Sequence, residues 1–372
     1  MKLTIDRAAL LKSLGHVQSV VERRNTIPIL ANVMLRAESG VLGLTATDMD
    51  LEIVEHVPAD VQTPGATTAP AHTLYDIVRK LPDGSQAELS YDGDKGTLVL
   101  QAGRSRFVLG CLPIEDFPSM AGGESGHRFE LAAGDLRQLI ERTRFAISTE
   151  ETRYYLNGIY LHAAGVGDSP TLRAVATDGH RLARMEVALP QGAEGIPGVI
   201  VPRKTVGELY KLIEENADPV TVELSESKVR FAFDSVTLTS KLIDGTFPDY
   251  ERVIPADNDK TLLVEAEDFA EAVDRVSTIS TEKSRAVKLA IEDGTLTLSA
   301  TSAEQGSATE ALEVEYGSTP LEIGFNARYL MDITDRIEGA RAKFLMADGA
   351  SPTIVQDSED ASALYVLMPM RV

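Results

Sequence analysis

Apolar residues recur along this chain in two rhythms, and the pair of rhythms is repeated three times. The strings LGLTATD, LRAVATD and LTLSATS end at Asp48, Asp178 and Ser302. In each, apolar positions fall at every second residue: Leu42, Leu44 and Ala46; Leu172, Ala174 and Ala176; Leu296, Leu298 and Ala300. Period two predicts a half-buried strand. Leu172 lies 130 residues beyond Leu42, and Leu296 lies 124 beyond Leu172.

A helical rhythm keeps nearly the same offsets. Leu74, Ile77 and Leu81 recur as Val206, Leu209 and Ile213, then as Leu330, Ile333 and Ile337. The spacing i, i+3, i+7 places each trio on one helix face. A short apolar strand precedes each trio: TTAPA, VIVPR and IGFNA. An earlier helix repeats as well, through Leu10, Leu14 and Val17; Leu136, Ile140 and Thr143; and Phe269, Val273 and Val276. Strand-like segments carrying Ile5, Leu131 and Val264 lead into these.

Each unit therefore reads strand, helix, several strands, and then the same again. This predicts an α+β fold of three repeated domains, each with two helices packed on antiparallel sheet. Asp-Gly pairs at 83–84, 92–93, 178–179 and 293–294 predict hairpin turns. Boundaries are expected in the Gly-rich stretch Ala121 to Gly126 and near Pro255 to Lys260, giving domains 1–122, 127–254 and 259–372.

Composition adds limits. A chain of 372 residues with 43% hydrophobic content has material for more than one core. Its one cysteine, Cys111, cannot form an internal disulfide or build a zinc site. Asp6 and Arg7 interrupt the first apolar stretch, which argues against a signal peptide. No apolar run is long enough to span a membrane, and the expectation is a soluble, cytoplasmic protein. The net charge of −21 argues by itself against phosphate binding. The charge is uneven, however. The six helical segments together carry +4, which leaves −25 for the remainder. If the helices share one surface, nucleic acid can approach that surface alone.

Catalytic patterns are absent. The chain has no GxxxxGK[ST], no GxGxxG after a strand, no GxSxG and no HExxH. The six histidines have no metal-ligand spacing, and no cofactor is expected. Asp48 and Asp50 form a DxD that reads as turn-setting aspartates in preference to a cation site. Cys111 reads as a buried, inert thiol. Asp178 and His180, two residues apart at a turn, are the one seed for acid–base chemistry, and a hydrolase built on them stays open on the residues alone.

Several strings carry a resemblance: TIPILAN at 26–32, GRSRF at 103–107, RYYLNG at 153–158, VATDGHRLA at 175–183, FPDY at 247–250 and MPMRV at 368–372. Over its whole length the chain resembles the bacterial DNA sliding clamps, the beta subunits of DNA polymerase III. The resemblance implies a non-catalytic processivity factor. Two copies would close head to tail into a ring around duplex DNA and tether the replicative polymerase, the clamp loader and other proteins through short peptides. A repeat-built peptide-binding scaffold that does not encircle DNA is the alternative. Topological linkage would reconcile an acidic body with DNA, because a closed ring needs little affinity to stay on.

By the same resemblance, DNA-contacting positions fall on Arg24, His72, Glu150, Tyr154 and Tyr155. The peptide groove falls on Leu156, Thr177, Gly179, His180, Arg181, Leu182, Pro248, Arg252, Val253, Asn326, Tyr329, Val366, Met368, Pro369, Met370 and Arg371. Apolar side chains would line it, and Arg181, Arg252 and Arg371 would grip polar ends of a peptide. The subunit interface falls on Arg104, Arg106, Phe107, Leu109, Ile279, Glu304 and Glu310, with Phe107 and Leu109 on an edge strand and the two arginines facing the two glutamates.

Overall fold

A computed structural model describes residues 1–120, 126–165, 169–214, 218–280 and 285–371. Of the expected boundary stretch, 121–125 lies outside the described residues, as does Val372 of the MPMRV string. Six helices occur among the described residues: α1 Arg7–Gln18, α2 Ala71–Lys80, α3 Ala133–Glu141, α4 Arg203–Glu214, α5 Ala266–Ser277 and α6 Ala327–Thr334. The strings with period two are the strands Val41–Thr47, Thr171–Thr177 and Thr295–Ser302.

Helices α1 and α6 form where a polar cap meets an apolar stripe. Asp6 starts α1 by accepting from the amides of Ala8 and Ala9 at 2.9 and 3.1 Å, a cap that contributes about 1 kcal/mol. Asn326 starts α6 in the same way, accepting from Arg328. Leu10, Leu14 and Val17 are fully buried, as are Leu74, Phe269 and Val273. The α2 stripe sits one residue off the expected register: Val78 is buried and Ile77 is half-buried, because i, i+4 points more directly at the sheet than i, i+3. Three helices are shorter than their trios, α2 among them, because Leu81 lies just past its last residue, Lys80. Ile337 lies beyond α6, and Thr143 lies beyond α3, where its hydroxyl donates to the Leu139 carbonyl.

The chain folds as two compact units. One comprises Met1–Gly134, Pro190–Ile196 and Lys204–Leu242. It holds a five-stranded sheet in the order Asp60–Thr63, Lys2–Asp6, Gln86–Asp92, Thr97–Ala102, Ser105–Gly110. Its second sheet has eight strands: His127–Leu131, Val220–Leu224, Lys228–Phe233, Val236–Lys241, Leu51–Pro58, Val41–Thr47, Asn32–Glu38 and Gly65–Pro70. Helices α1 and α2 pack together in this unit.

The other unit comprises Asp135–Leu189, Pro197–Arg203 and Ile243–Val372. Its large sheet runs Val199–Pro202, Gly158–Ala164, Thr171–Thr177, Arg181–Ala188, Ala363–Leu367, Thr353–Asp357, Arg341–Met346, Lys260–Glu265, Glu315–Tyr316. Its small sheet runs Gly306–Glu313, Thr295–Ser302, Ala286–Glu292, Leu321–Asn326, and α5 packs with α6. Among the described residues, the strands of both units pair antiparallel. The middle repeat is thus divided, its strands completing one sheet with the first repeat and another with the third.

Of the four Asp-Gly pairs, those at 92–93, 178–179 and 293–294 join paired strands. Asp83-Gly84 instead joins α2 to the strand Gln86–Asp92, so that expectation is corrected: the pair turns the chain, but out of a helix. No helix among the described residues is long and apolar enough to cross a membrane.

Candidate partner-binding site

One face of the nine-stranded sheet is built from rows of side chains, because every second residue of each strand points the same way. The first row runs Thr177, Leu182, Val366, Ile354 across neighbouring strands. The second runs Ile200, Tyr160, Val175, Arg184, Leu364. The third is polar: His162, Arg173, Glu186. Leu156, Leu182, Val366, Ile354, Phe247 and Tyr250 belong to one buried apolar cluster over this face. Burying Leu182 or Val366 contributes about 1.5–3 kcal/mol each. Around that floor lie exposed Val253 and Met368, at 43% and 39%.

The sixteen groove positions fall together in this one unit. Pro248, Arg252 and Val253 lie on or beside a short 3-10 turn, Tyr250–Val253, whose Tyr250 is buried. The C-terminal residues are tied down through their backbone: Met368 donates to the His180 carbonyl and Met370 to the Gly324 carbonyl, both at 2.9 Å. Pro369 and Met370 are half-buried there, and Arg371 is exposed. Asn326 caps α6, which carries Tyr329, and the Tyr329 ring stacks on His180 at 6.5 Å.

Arg181 departs from its expected role. Its guanidinium is buried, and all three of its nitrogens are engaged inside the protein. It pairs with Asp178 and Asp332, donates to the Phe145 carbonyl at 2.7 Å, and sits over the Tyr329 ring at 4.3 Å. It braces the site, with three of its five N–H groups bound within the protein. Arg252, 85% exposed and paired with Asp249, and exposed Arg371 are the cations that face solvent.

Asp178 and His180 do not form an acid–base pair. One Asp178 oxygen accepts from the backbone amides of His180 and Arg181, and the other from the Arg181 guanidinium. The carboxylate sets a turn and does not reach the imidazole. Asp48 sets the matching turn at the other repeat, accepting from the amides of Asp50 and Leu51. Asp48 pairs with Lys204, and Asp50 pairs with Lys241, as expected of structural aspartates. Cys111 is half-buried, and burial raises its thiol above the ordinary value.

The five positions expected to meet DNA lie in two groups. Arg24 is exposed just after α1, and the His72 ring bonds the Val21 carbonyl of that same connection at 2.8 Å. In the other unit Glu150, Tyr154 and Tyr155 share a 3-10 turn region. Tyr154 is 54% exposed, with its ring edge-on to Tyr155 at 5.8 Å. The Glu150 carboxylate is clamped by both forks of Arg153, at 2.8 and 2.6 Å, and that bond holds it below its ordinary value. Its charge is answered locally.

Phe107 and Leu109 lie on Ser105–Gly110, an edge strand of the five-stranded sheet, with Arg106 exposed beside them and Arg104 in the preceding turn. Glu310 lies on Gly306–Glu313, an edge strand of the four-stranded sheet. Ile279 is half-buried after α5, and Glu304 is exposed in a turn. Glu310 is already engaged, because Arg275 of α5 binds it through two nitrogens at 3.1 and 2.7 Å. Within the chain, an arginine four residues after Glu271 on α5 is the cation that meets Glu310.

Sequence reasoning missed Arg173, His162 and Arg153. Arg173 and His162 matter through Tyr250, distant in the chain, whereas Arg153 matters through Glu150, three residues away; the aromatic pair in FPDY hinted that the connection at 247–250 would pack down.

This is a repeat-built chain with an apolar trough and braced, structural carboxylates, the class of an accessory, partner-binding protein. Family models of the DNA polymerase III beta subunit match it in order: the N-terminal domain over residues 1–121, the central domain over 130–249 and the C-terminal domain over 251–371. The beta sliding clamp of Caulobacter vibrioides is 58% identical over 372 residues, covering all of both chains, and that of Escherichia coli K12 is 38% identical over 373, again covering both. A solved sliding clamp from Bartonella birtlesii, bound to griselimycin, superposes with a TM-score of 0.97 at 53% identity and full coverage of both chains. The chain belongs to the DNA polymerase III beta-subunit family, the bacterial sliding clamps, whose members are non-catalytic accessory subunits and processivity factors.

Proposed function

We propose that two copies of this chain close head to tail into a ring around duplex DNA. In this reading the three domains span 1–122, 127–254 and 259–372, and the ring acts in the cytoplasm. The sixteen-residue groove takes short peptides from the polymerase catalytic subunit, the clamp loader and other DNA-processing proteins. The observation that carries the groove is the apolar first row, Leu182 and Val366 with Leu156, left flanked by exposed Val253 and Met368. Apolar troughs with Met at the rim adapt to several partners. The Bartonella relative bound to griselimycin supports a ligand site in this fold.

For the ring, two edge strands offer unpaired backbone, Ser105–Gly110 and Gly306–Glu313. Strand addition between copies would hide both. With Glu310 held by Arg275, Glu304 is the acid left to meet Arg104 and Arg106. Arg24, His72, Tyr154 and Tyr155 would touch DNA without reading bases, and Glu150 would do so as an Arg153-neutralised pair.

The test is retention on DNA. Loaded on nicked circular duplex by a clamp loader, the protein should stay bound through a high-salt wash and escape once the circle is cut. Equal loss from circular and linear DNA would defeat the ring and favour a peptide-binding scaffold.

A further inference from the structure

The third, polar row of the large sheet has no part in the groove, yet it holds the segment that supplies one groove wall. Residues 247–253 lie across the face as a strap. Phe247 stacks on Tyr160 with centroids 4.8 Å apart and planes 6° apart, and His162 stacks on the other side of Tyr160 at 4.7 Å. Tyr250 places its hydroxyl 3.0 Å from His162 Nε2 and 3.3 Å from Arg173 Nη1. Arg173 also binds Glu251 of the strap at 2.8 Å and Glu186 of the next strand at 2.7 Å.

The proton positions are set by the partners. His162 Nδ1 lies 3.0 Å from the Ala163 carbonyl. A carbonyl only accepts, so Nδ1 carries the hydrogen and Nε2 is the acceptor. Tyr250 O–H therefore donates to Nε2, and its oxygen accepts from Arg173. Every donor in the chain Arg173–Tyr250–His162–Ala163 meets an acceptor only while the imidazole is neutral. Protonating Nε2 would remove the acceptor of the Tyr250 hydroxyl, whose oxygen Arg173 already binds.

We propose that this chain of bonds latches the strap, making Tyr250 and Arg173 positioning residues that hold Pro248, Arg252 and Val253 in place for peptide binding. The inference rests on the groove proposed for peptides. Its geometric basis is that Tyr250 and Glu251 directly precede Arg252 and Val253 in one 3-10 turn. The charged and titratable groups around the imidazole are Arg173, Glu251, Glu186 through Arg173, and the Tyr160 and Tyr250 phenols. Burial, reinforced by the Arg173 charge, holds His162 below its ordinary value. A depressed histidine is neutral in the latched state. The latch is whole above the free imidazole value of about 6.5 and is lost as pH falls below it toward the folded value.

The probe is griselimycin, titrated against the full-length protein at pH 7.5 and 5.5 with wild type, Tyr250→Phe, Arg173→Lys and Met370→Asp. Tyr250→Phe keeps the ring and removes one hydroxyl. It should weaken binding about three- to tenfold at pH 7.5, the size of one lost hydrogen bond, with little change in thermal midpoint. It should also flatten the fall in affinity expected of wild type on acidification. His180 lies at the groove itself, so the difference between the two proteins is what reads the latch. Arg173→Lys keeps a cation for Glu186 and should fall between them. Wild-type affinity and an unchanged pH profile in Tyr250→Phe, with binding lost in Met370→Asp, would overturn the latch alone. Unchanged binding in Met370→Asp would overturn the groove.

Discussion

Two turns in this chain have the same backbone and opposite surroundings. In the first repeat, Thr47 Oγ1 accepts from the Met49 amide at 2.9 Å, and Asp48 accepts from Asp50 and Leu51 at 2.9 and 2.7 Å. In the second, Thr177 Oγ1 accepts from Gly179 at 3.1 Å, and Asp178 accepts from His180 and Arg181 at 2.9 and 3.0 Å. The repeated ATD string thus builds one hydrogen-bonded device twice. The strands leaving the two turns differ. The first turn continues into Leu51 and buried Glu52, which accepts from the Met120 amide at 3.2 Å. The second continues into Arg181, which braces α6, and Leu182, which floors the apolar row. Where the second has an apolar floor, the first has a carboxylate closed over by the chain's own backbone. A shared turn positions side chains, and the residues after it decide whether the surface can hold a partner.

The largest expected effect tests the brace. Arg181→Ala removes a buried guanidinium from between Asp178 and Asp332, leaving Asp178 without its cation and Asp332 with only the more distant Arg328. The expected cost is about 3 kcal/mol, with griselimycin binding lost. The matching change at the first repeat's turn is Lys204→Met in α4, which removes the half-exposed ammonium that pairs with Asp48 and Glu22. It should cost no more than about 1 kcal/mol. Urea denaturation of both variants measures the two. Equal costs would mean the turns are anchored alike, and the contrast between them would fail.

A smaller effect comes from the third turn position, where the chain adopts positive φ in both repeats: +88° at Gly179 and +78° at Met49. Glycine takes this conformation freely, and a side chain there costs about 1–2 kcal/mol. A Cβ on Gly179 would also meet the Arg153 guanidinium, disturbing the pair that neutralises Glu150. Gly179→Ala should therefore destabilise by about 1–2 kcal/mol. Met49→Gly should stabilise by less than about 1 kcal/mol, since the added freedom of the unfolded chain offsets part of the relief. Thermal midpoints that move the same way in both variants would show that backbone strain is not shared.

Periodicity made the three repeats legible, because Leu42, Leu172 and Leu296 each begin an alternation that a buried sheet face imposes. The helix trios were legible for the same reason, and their ends were not. Leu81, Thr143 and Ile337 fit the spacing but lie past the last helical residue, where capping and tertiary contacts decide. The groove positions came from resemblance, and their convergence depends on strand order, which no local pattern encodes. Arg181 shows the limit most clearly. Its charge suggested a grip on a ligand, but Asp332 lies 151 residues away, and only the fold brings it close enough to use up that charge.

The smallest effect is read in a pH slope and separates Glu52 from Leu182, the residues that hold the same place after each turn. Burial raises the Glu52 carboxyl above its ordinary value, partly offset by the bond from the Met120 amide and the charge of Lys228. A raised carboxyl binds its proton more tightly in the folded state than in the unfolded. Stability is therefore lost as pH rises from the unfolded value near 4.5 through the higher folded one, and the penalty is constant above that. Glu52→Gln keeps an oxygen for the Met120 amide and removes the titration. Its advantage over wild type should be full at pH 7, shrink as pH falls through that window, and vanish near 4.5. Urea midpoints of the two proteins at pH 7, 5.5 and 4.5 measure it. A difference that stays constant across the three would mean the carboxylate is solvated. The first turn would then be as open to water as the groove rim, and the two regions would differ in shape but not in burial.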